Sequence, residues 1–565
     1  MEENISYSFS AASGSVKDGI KKVTPKEILD PMKCEASLTI GVFFDGTHNN
    51  RSADYTRMSH SNIARLSDAY PREENRGFFR IYVPGVGTPF DKIADDGVSF
   101  KGGAFGVGCE SRILFGMFSV FNAIHRYVYS GENFFSGNQI CALCRLGKPN
   151  DPKIQAEIFR LNMQAGLLEK EKEVRRRFFK HQRDLLAKKI ILKGNVYIKE
   201  IYLDVFGFSR GAAQARVFST WISELFENGK FADIKINFRF LGIFETVASY
   251  GVIEGISGGA VNYTASHVGW AAAENLRIPS VVENCVHLIA MHEIRKNFPL
   301  DYLSRDGTLP SNYIELSYPG AHSDIGGGYA PGELGVSLGK TLADGDSLKI
   351  AQIPLNHMLE YAKTAGVPLD KRLALDGTYD PFVISPVLAK AFQDFLRESG
   401  NSPRPLQAWM QPYLNWRWQI RANYVKSLQL LRANESDKAL LKASNKKLAD
   451  DGKELLRCGD VKQAEKHIQS VQGAKKSAYD TTYAQYSIEI PQFDTEAVKV
   501  VHEANSASPV SSSLASFFEN FIHDSMAGFR KSLVEQSGYW RYRKAFRGDD
   551  KPVFASNDDT RTDVA

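Results

Sequence analysis

Gly207, Ser209 and Gly211 stand at alternate positions in "YLDVFGFSRGAAQARVF", residues 202–218. An apolar run of strand length precedes them, and an alanine-rich, helix-forming run follows. A serine in G-x-S-x-G at a strand-to-helix turn is the pattern of a nucleophile elbow. Such a turn is too sharp for side chains at the flanking positions, and it pushes the serine out above the sheet edge. The amide of Arg210, at the start of the helix, is placed to bind a developing oxyanion. A serine hydroxyl is a poor nucleophile near neutral pH. It needs a histidine as base, and a carboxylate to hold that histidine in the right tautomer. The chain order expected after such an elbow is serine, acid, histidine. Two sets satisfy it: Ser209–Glu245–His322 and Ser209–Asp324–His523. The loop "GAHSDIGGGY", residues 320–329, supplies one member to each.

Elements of an α/β fold must hold these residues. Leu38 to Phe44 reads as a buried strand, and Asp45-Gly46-Thr47 as its turn. The backbone of Gly46 or Thr47 is a candidate second oxyanion donor, with a simple tight turn as the plainer reading. "GFFRIYVPGVGT" repeats the pattern of a strand followed by a glycine-rich loop. Further strands are expected at 201–206, from Ile236, at Cys285 to Ala290 and at Tyr313 to Tyr318, with helices from about Ser111 and from the elbow to about Asn228. Strands alternating with helices predict an α/β domain with a mostly parallel sheet over residues 37–335. Residues 1–36 read as a polar extension and 336–565 as a mainly helical accessory region facing a membrane or partner.

Within the core, residues 151–193 read as a charged helical insertion. Val174, Phe178 and Leu185 form one face, and Arg175, Arg176, Arg177, Lys180 and Arg183 fill the rest. It is either a solvated helix with one packed stripe or a surface for anionic lipid. Trp409, Trp416 and Trp418 are read either as core or as an aromatic membrane face. His48 could line the pocket. His287 and His292, in or beside a strand, read as structural. His60, His125, His181, His267, His357, His467 and His502 carry no supporting pattern.

Composition narrows the function. The chain has 565 residues, 43% hydrophobic and 24% charged, with a net charge of +5. That small charge does not suggest a dedicated nucleic-acid binder. The six cysteines form one C-x-x-C, Cys141 to Cys144, without the companions a zinc site needs, so no metal or cofactor is expected. "GGAFGVGCE" lacks the Lys-Ser/Thr ending of a phosphate-binding loop. The N-terminus has no apolar h-region, and no run approaches the ~20 apolar residues of a membrane span. A protein acting outside its cell would then need a carrier other than the general secretory route.

"FFDGTHNN", "YVPGVGT", "GFSRGAAQAR", "FLGIFETVASYG", "HLIAMHEIR" and "YPGAHSDIGGGY" occur here in the order seen in the Tle1-like catalytic domain of type VI secretion phospholipase effectors, which residues 37–335 resemble. "FIHDSMAGF" and "GYWRYRKAF" resemble segments of larger effector phospholipases, including Tle4-like ones. The resemblance implies an α/β-hydrolase core that cleaves acyl esters of membrane glycerophospholipids, and an antibacterial toxin. It also implies loading on a VgrG-type spike or Hcp-type carrier, an immunity protein in the producer and release into the target cell's periplasm or membrane surface. One departure is Glu245, where the family commonly has aspartate. A soluble-substrate esterase or thioesterase, or a non-catalytic binding module, would keep the same fold.

Overall fold

The computed structural model describes residues 19–24, 35–97, 108–144, 156, 172–194, 197–248, 269–295, 298–303, 308–400, 405–457, 495–528, 539–540, 542–547, 552–553 and 563–564. The extension before residue 19, the glycine-rich run 98–107, insertion residues 145–155 and 157–171, Cys34, Cys458, His267 and His467 lie outside the described residues.

The strands follow in chain order: β1 (Glu35–Phe44), β2 (Phe78–Val83), β3 (Tyr197–Phe208), β4 (Lys230–Phe231), β5 (Ile234–Phe244), β6 (Cys285–Ala290), β7 (Leu300–Asp301) and β8 (Tyr313–Tyr318). Six of them run parallel in the spatial order β8-β6-β5-β3-β1-β2, and β4 pairs antiparallel with β5. Asp563–Val564 adds a short parallel edge beside β8.

Period-two alternation buries both faces, as a parallel sheet requires. Leu38, Ile40, Val42 and Phe44 of β1 join Leu203 and Val205 of β3 on one face. The helices Cys109–Val128, Lys172–Lys193 and Arg210–Ser223 cover that face. Phe43, Phe206, Phe240 and Phe244 point to the other. There they meet the helices Asn62–Asp68 and Gln352–Thr364, and a C-terminal layer of Pro386–Ser399, Leu406–Ile420, Thr495–Ser506 and Ser512–Phe521. Trp409, Trp416 and Trp418 are each 3% exposed. They are core residues of this layer, so the aromatic membrane face is not formed. In the helix Lys172–Lys193, Arg175 and Arg183 are buried as well, and Arg175 stacks 3.5 Å over the Trp221 ring. The stripe packed on the core therefore includes two of the arginines assigned to its polar side.

The strand order sets where a ligand can sit. From β1 the chain moves outward to β2 on one side and then to β3 on the other. The carboxyl ends of β1 and β3 flank this switch point, where open α/β sheets place their ligand crevices.

Candidate active site

Ser209 lies at the carboxyl end of β3, between Phe208 and the helix that starts at Arg210. Its backbone has φ 60° and ψ −127°, a strained setting for a residue with a side chain, and strain of this kind concentrates at functional turns. The Ser209 N–H donates to the Phe244 carbonyl (3.0 Å), and its own carbonyl accepts from Ala212 (3.0 Å). The glycines on either side are required by close approach. A Cβ on Gly211 would lie 2.3 Å from the carbonyl oxygens of Phe44 and Asp45, and one on Gly207 2.5 Å from the Gly211 carbonyl oxygen. The elbow is thus pressed against the end of β1.

Glu245 follows the last residue of β5, with φ 50°. It is the residue after Phe244, the acceptor for Ser209, so the acid and the elbow share a backbone contact. Glu245 Oε2 lies 2.8 Å from His322 Nδ1. His322 opens the short helix His322–Gly326, which is packed so tightly on β3 that a Cβ on Gly326 would meet the Phe208 ring at 2.0 Å. The His322 ring lies 4.8 Å, centroid to centroid, from both Phe208 and Phe298. The histidine is therefore held against the residue preceding Ser209.

Electrostatics divide the roles within this pair. Burial pushes Glu245 up, but the Arg543 guanidinium and His322 outweigh it and hold the carboxyl at about 2. An ionised Glu245 fixes Nδ1–H as the donor and leaves Nε2 with a lone pair. Burial lowers His322 below its ordinary value in spite of Glu245, which favours the neutral base.

The second pair is also formed. Asp324 Oδ1 lies 2.6 Å from His523 Nδ1, and Oδ2 accepts from the His523 and Ala321 amides (3.0 and 2.9 Å). Tyr329 stacks on the His523 ring with centroids 3.7 Å apart. The neighbours of His523 are fastened too: Asp524 pairs with Arg417 (3.0 Å), and Ser525 donates to Glu293 (3.2 Å).

The loop after β1 departs from the expectation for Gly46. Its amide donates to Asp45 Oδ1 (2.7 Å), which leaves Thr47 and Arg210 as the candidate oxyanion amides. Asp45 is buried and also accepts from Ser61 Oγ and Tyr82 Oη, both at 2.5 Å. Burial raises its carboxyl to about 6. His48 is exposed above this loop. His287, bonded to Thr246 and Glu315, and His292, accepting from Gly320, are buried in structural roles. Sequence reasoning missed three residues that touch the site. Asp45 organises the loop, Glu293 accepts from the His322 amide (3.1 Å), and Arg543 pairs with Glu245.

Comparison with known proteins places the chain in a family. The catalytic domain described as type VI secretion, phospholipase effector Tle1-like, matches residues 39–225 and 223–361. The chain belongs to that family of phospholipase effectors. A crystal structure of an uncharacterized protein from Pseudomonas aeruginosa is 25% identical and superposes with a TM-score of 0.65, covering 91% of this chain and 80% of that one. A structure of the Tle1 effector bound to the VgrG spike of the type VI secretion system aligns at 18% identity over 69% of this chain and 85% of that one. Its TM-score of 0.32 is too low to bear on the fold. No curated protein matches the chain. Among the described residues no helix is long and apolar enough to cross a membrane.

Proposed function

We propose that this chain is a serine phospholipase of the A type, which cleaves acyl esters of membrane glycerophospholipids through Ser209, His322 and Glu245. Ser209 Oγ attacks the ester carbonyl while His322 Nε2 takes its proton. The tetrahedral oxyanion is met by the amides of Arg210 and Thr47. His322 returns the proton to the leaving lysolipid oxygen, and water, activated by the same base, releases the fatty acid from Ser209. The observation that carries this reading is the Glu245–His322 hydrogen bond set directly behind the strained elbow.

Family membership supports the rest of the proposal. The enzyme acts as an antibacterial effector, reaches its target on a VgrG-type spike or Hcp-type carrier, and is neutralised in the producer by an immunity protein. The tip of the insertion helix, with Ile191 and Leu192 exposed, leads into the amino end of β3, opposite the elbow. It is therefore a poor candidate for the lipid mouth.

Purified wild type and Ser209→Ala, presented with phosphatidylethanolamine–phosphatidylglycerol vesicles and with short-chain soluble esters, test the proposal. Fatty acid release from vesicles should fall roughly 10⁴-fold or more in the variant. Wild-type turnover of soluble esters with untouched vesicles would make it a soluble esterase. Equal vesicle hydrolysis by both proteins would overturn the role of Ser209.

A further inference from the structure

Glu245 has a second partner that serine–histidine–acid chemistry does not demand. Arg543 Nη1 lies 2.9 Å from Oε1, and Nη2 2.8 Å from Oε2. Oε1 also accepts from the Ala290 amide (2.6 Å), so it takes two hydrogen bonds, while Nη2 meets Oε2 as a close ion pair without a hydrogen bond. The side chains are 3% and 0% exposed for Arg543 and Glu245. Arg543 Nε donates to the Phe298 carbonyl (2.5 Å), and the Phe298 ring packs on His322. One guanidinium therefore braces both members of the pair.

This contact is built deliberately from distant chain. Ala545–Phe546 pairs parallel with β7. Leu300 N–H donates to the Lys544 carbonyl (2.9 Å), and Tyr302 N–H to the Phe546 carbonyl (3.0 Å). Next, β7 is tied to the turn that carries Glu245, with Asp301 N–H on the Thr246 carbonyl (3.0 Å) and Ala248 N–H on Asp301 Oδ2 (3.0 Å). Ala545–Phe546 thus reaches the turn of the acid through one backbone ladder and two further hydrogen bonds.

We propose that Arg543 is a positioning residue of this active site, fixing the Glu245 carboxylate in the one orientation that meets His322 Nδ1. The inference rests on the triad reading above. A glutamate has one more side-chain torsion than an aspartate and needs more to hold it. A buried carboxylate facing only an imidazole is also costly, and a forked cation offsets that cost. The cation holds Glu245 ionised, while the other charged groups that act on His322 are Arg295, which opposes its protonation, and Glu293, which favours it.

Vesicle hydrolysis by Arg543→Met and Arg543→Lys, measured as kcat and kcat/KM against pH, tests this. In Arg543→Met the acid limb of kcat/KM should move up, because a positive charge that repels a proton on His322 across the shared carboxylate is gone, and kcat should fall roughly tenfold. Arg543→Lys keeps the charge without the fork. Its limb should stay in place while kcat drops roughly tenfold. A folded Arg543→Met with the wild-type limb and kcat overturns the inference. If that variant does not fold, Arg543→Lys decides, and an unchanged kcat overturns it. Glu245→Gln separates the two levels. Full activity there would remove the triad reading itself, whereas an inactive Glu245→Gln beside wild-type-like Arg543 variants would remove only this inference.

Discussion

Two acid–histidine pairs use residues two positions apart on the same short helix, and they differ in what surrounds them. Glu245–His322 and Asp324–His523 have similar hydrogen bonds, 2.8 and 2.6 Å, and all four side chains are at most 3% exposed. In the first pair the acid follows the strand residue that accepts from Ser209, and the histidine rests on Phe208. In the second, Asp324 is used three times, holding the Ala321 amide, the His523 amide and the His523 ring. The His523 ring is covered by Tyr329, and its Nε2 is buried without a hydrogen-bond partner among the described residues. The difference teaches that an acid–histidine hydrogen bond is not in itself a mark of catalysis. Its neighbours decide whether it drives a nucleophile or clamps a loop; in the proposed mechanism the first pair drives Ser209, while the second holds the C-terminal chain on the loop that carries His322.

The largest expected effect breaks the first pair. His322→Ala should lower vesicle hydrolysis roughly 10⁴-fold with a smaller loss of stability than His523→Ala, because Glu245 keeps Arg543 and the Ala290 amide when the ring is removed. Gly211→Ala comes next. Its Cβ collides with main-chain oxygens that cannot rotate away, so the elbow must shift. Activity should fall with it, and denaturant unfolding should show a loss of about 1–3 kcal/mol. His523→Ala should do the reverse of His322→Ala. It leaves Asp324 buried without its ring partner, so stability drops by about 1–3 kcal/mol, while kcat changes less than about tenfold. A His523 variant as inactive as the His322 variant, yet as stable as wild type, would exchange the two roles.

Much of this was legible in the sequence where the signal is local. The elbow is a contiguous motif with a strand before it and a helix after it, and β6 and β8 fall at the residues their apolar runs predict. Both acid–histidine pairs were readable as candidates because the loop after β8 supplies a member to each, although His523 follows the helix Ser512–Phe521 rather than a strand. Which pair lies behind Ser209 was not readable, since it depends on β5 lying beside β3, and strand order is a property of the whole sheet. Arg543 was hidden for the same reason: it stands 298 residues from Glu245, and nothing near it in sequence marks its partner. The tryptophans misled as membrane candidates because aromatic crowding reads alike in a core and on a surface. Asp45 passed as a turn residue until Ser61 and Tyr82 converged on it.

The central claim is that Ser209 is made nucleophilic by His322, and a fluorophosphonate probe tests it most directly. Wild type, His322→Ala and His523→Ala would be labelled under identical conditions, and the modified residue located by peptide mass spectrometry. The account predicts a label on Ser209 in wild type and in His523→Ala, and none in His322→Ala. Labelling that survives in His322→Ala but disappears in His523→Ala, or a label on another residue in wild type, would contradict it.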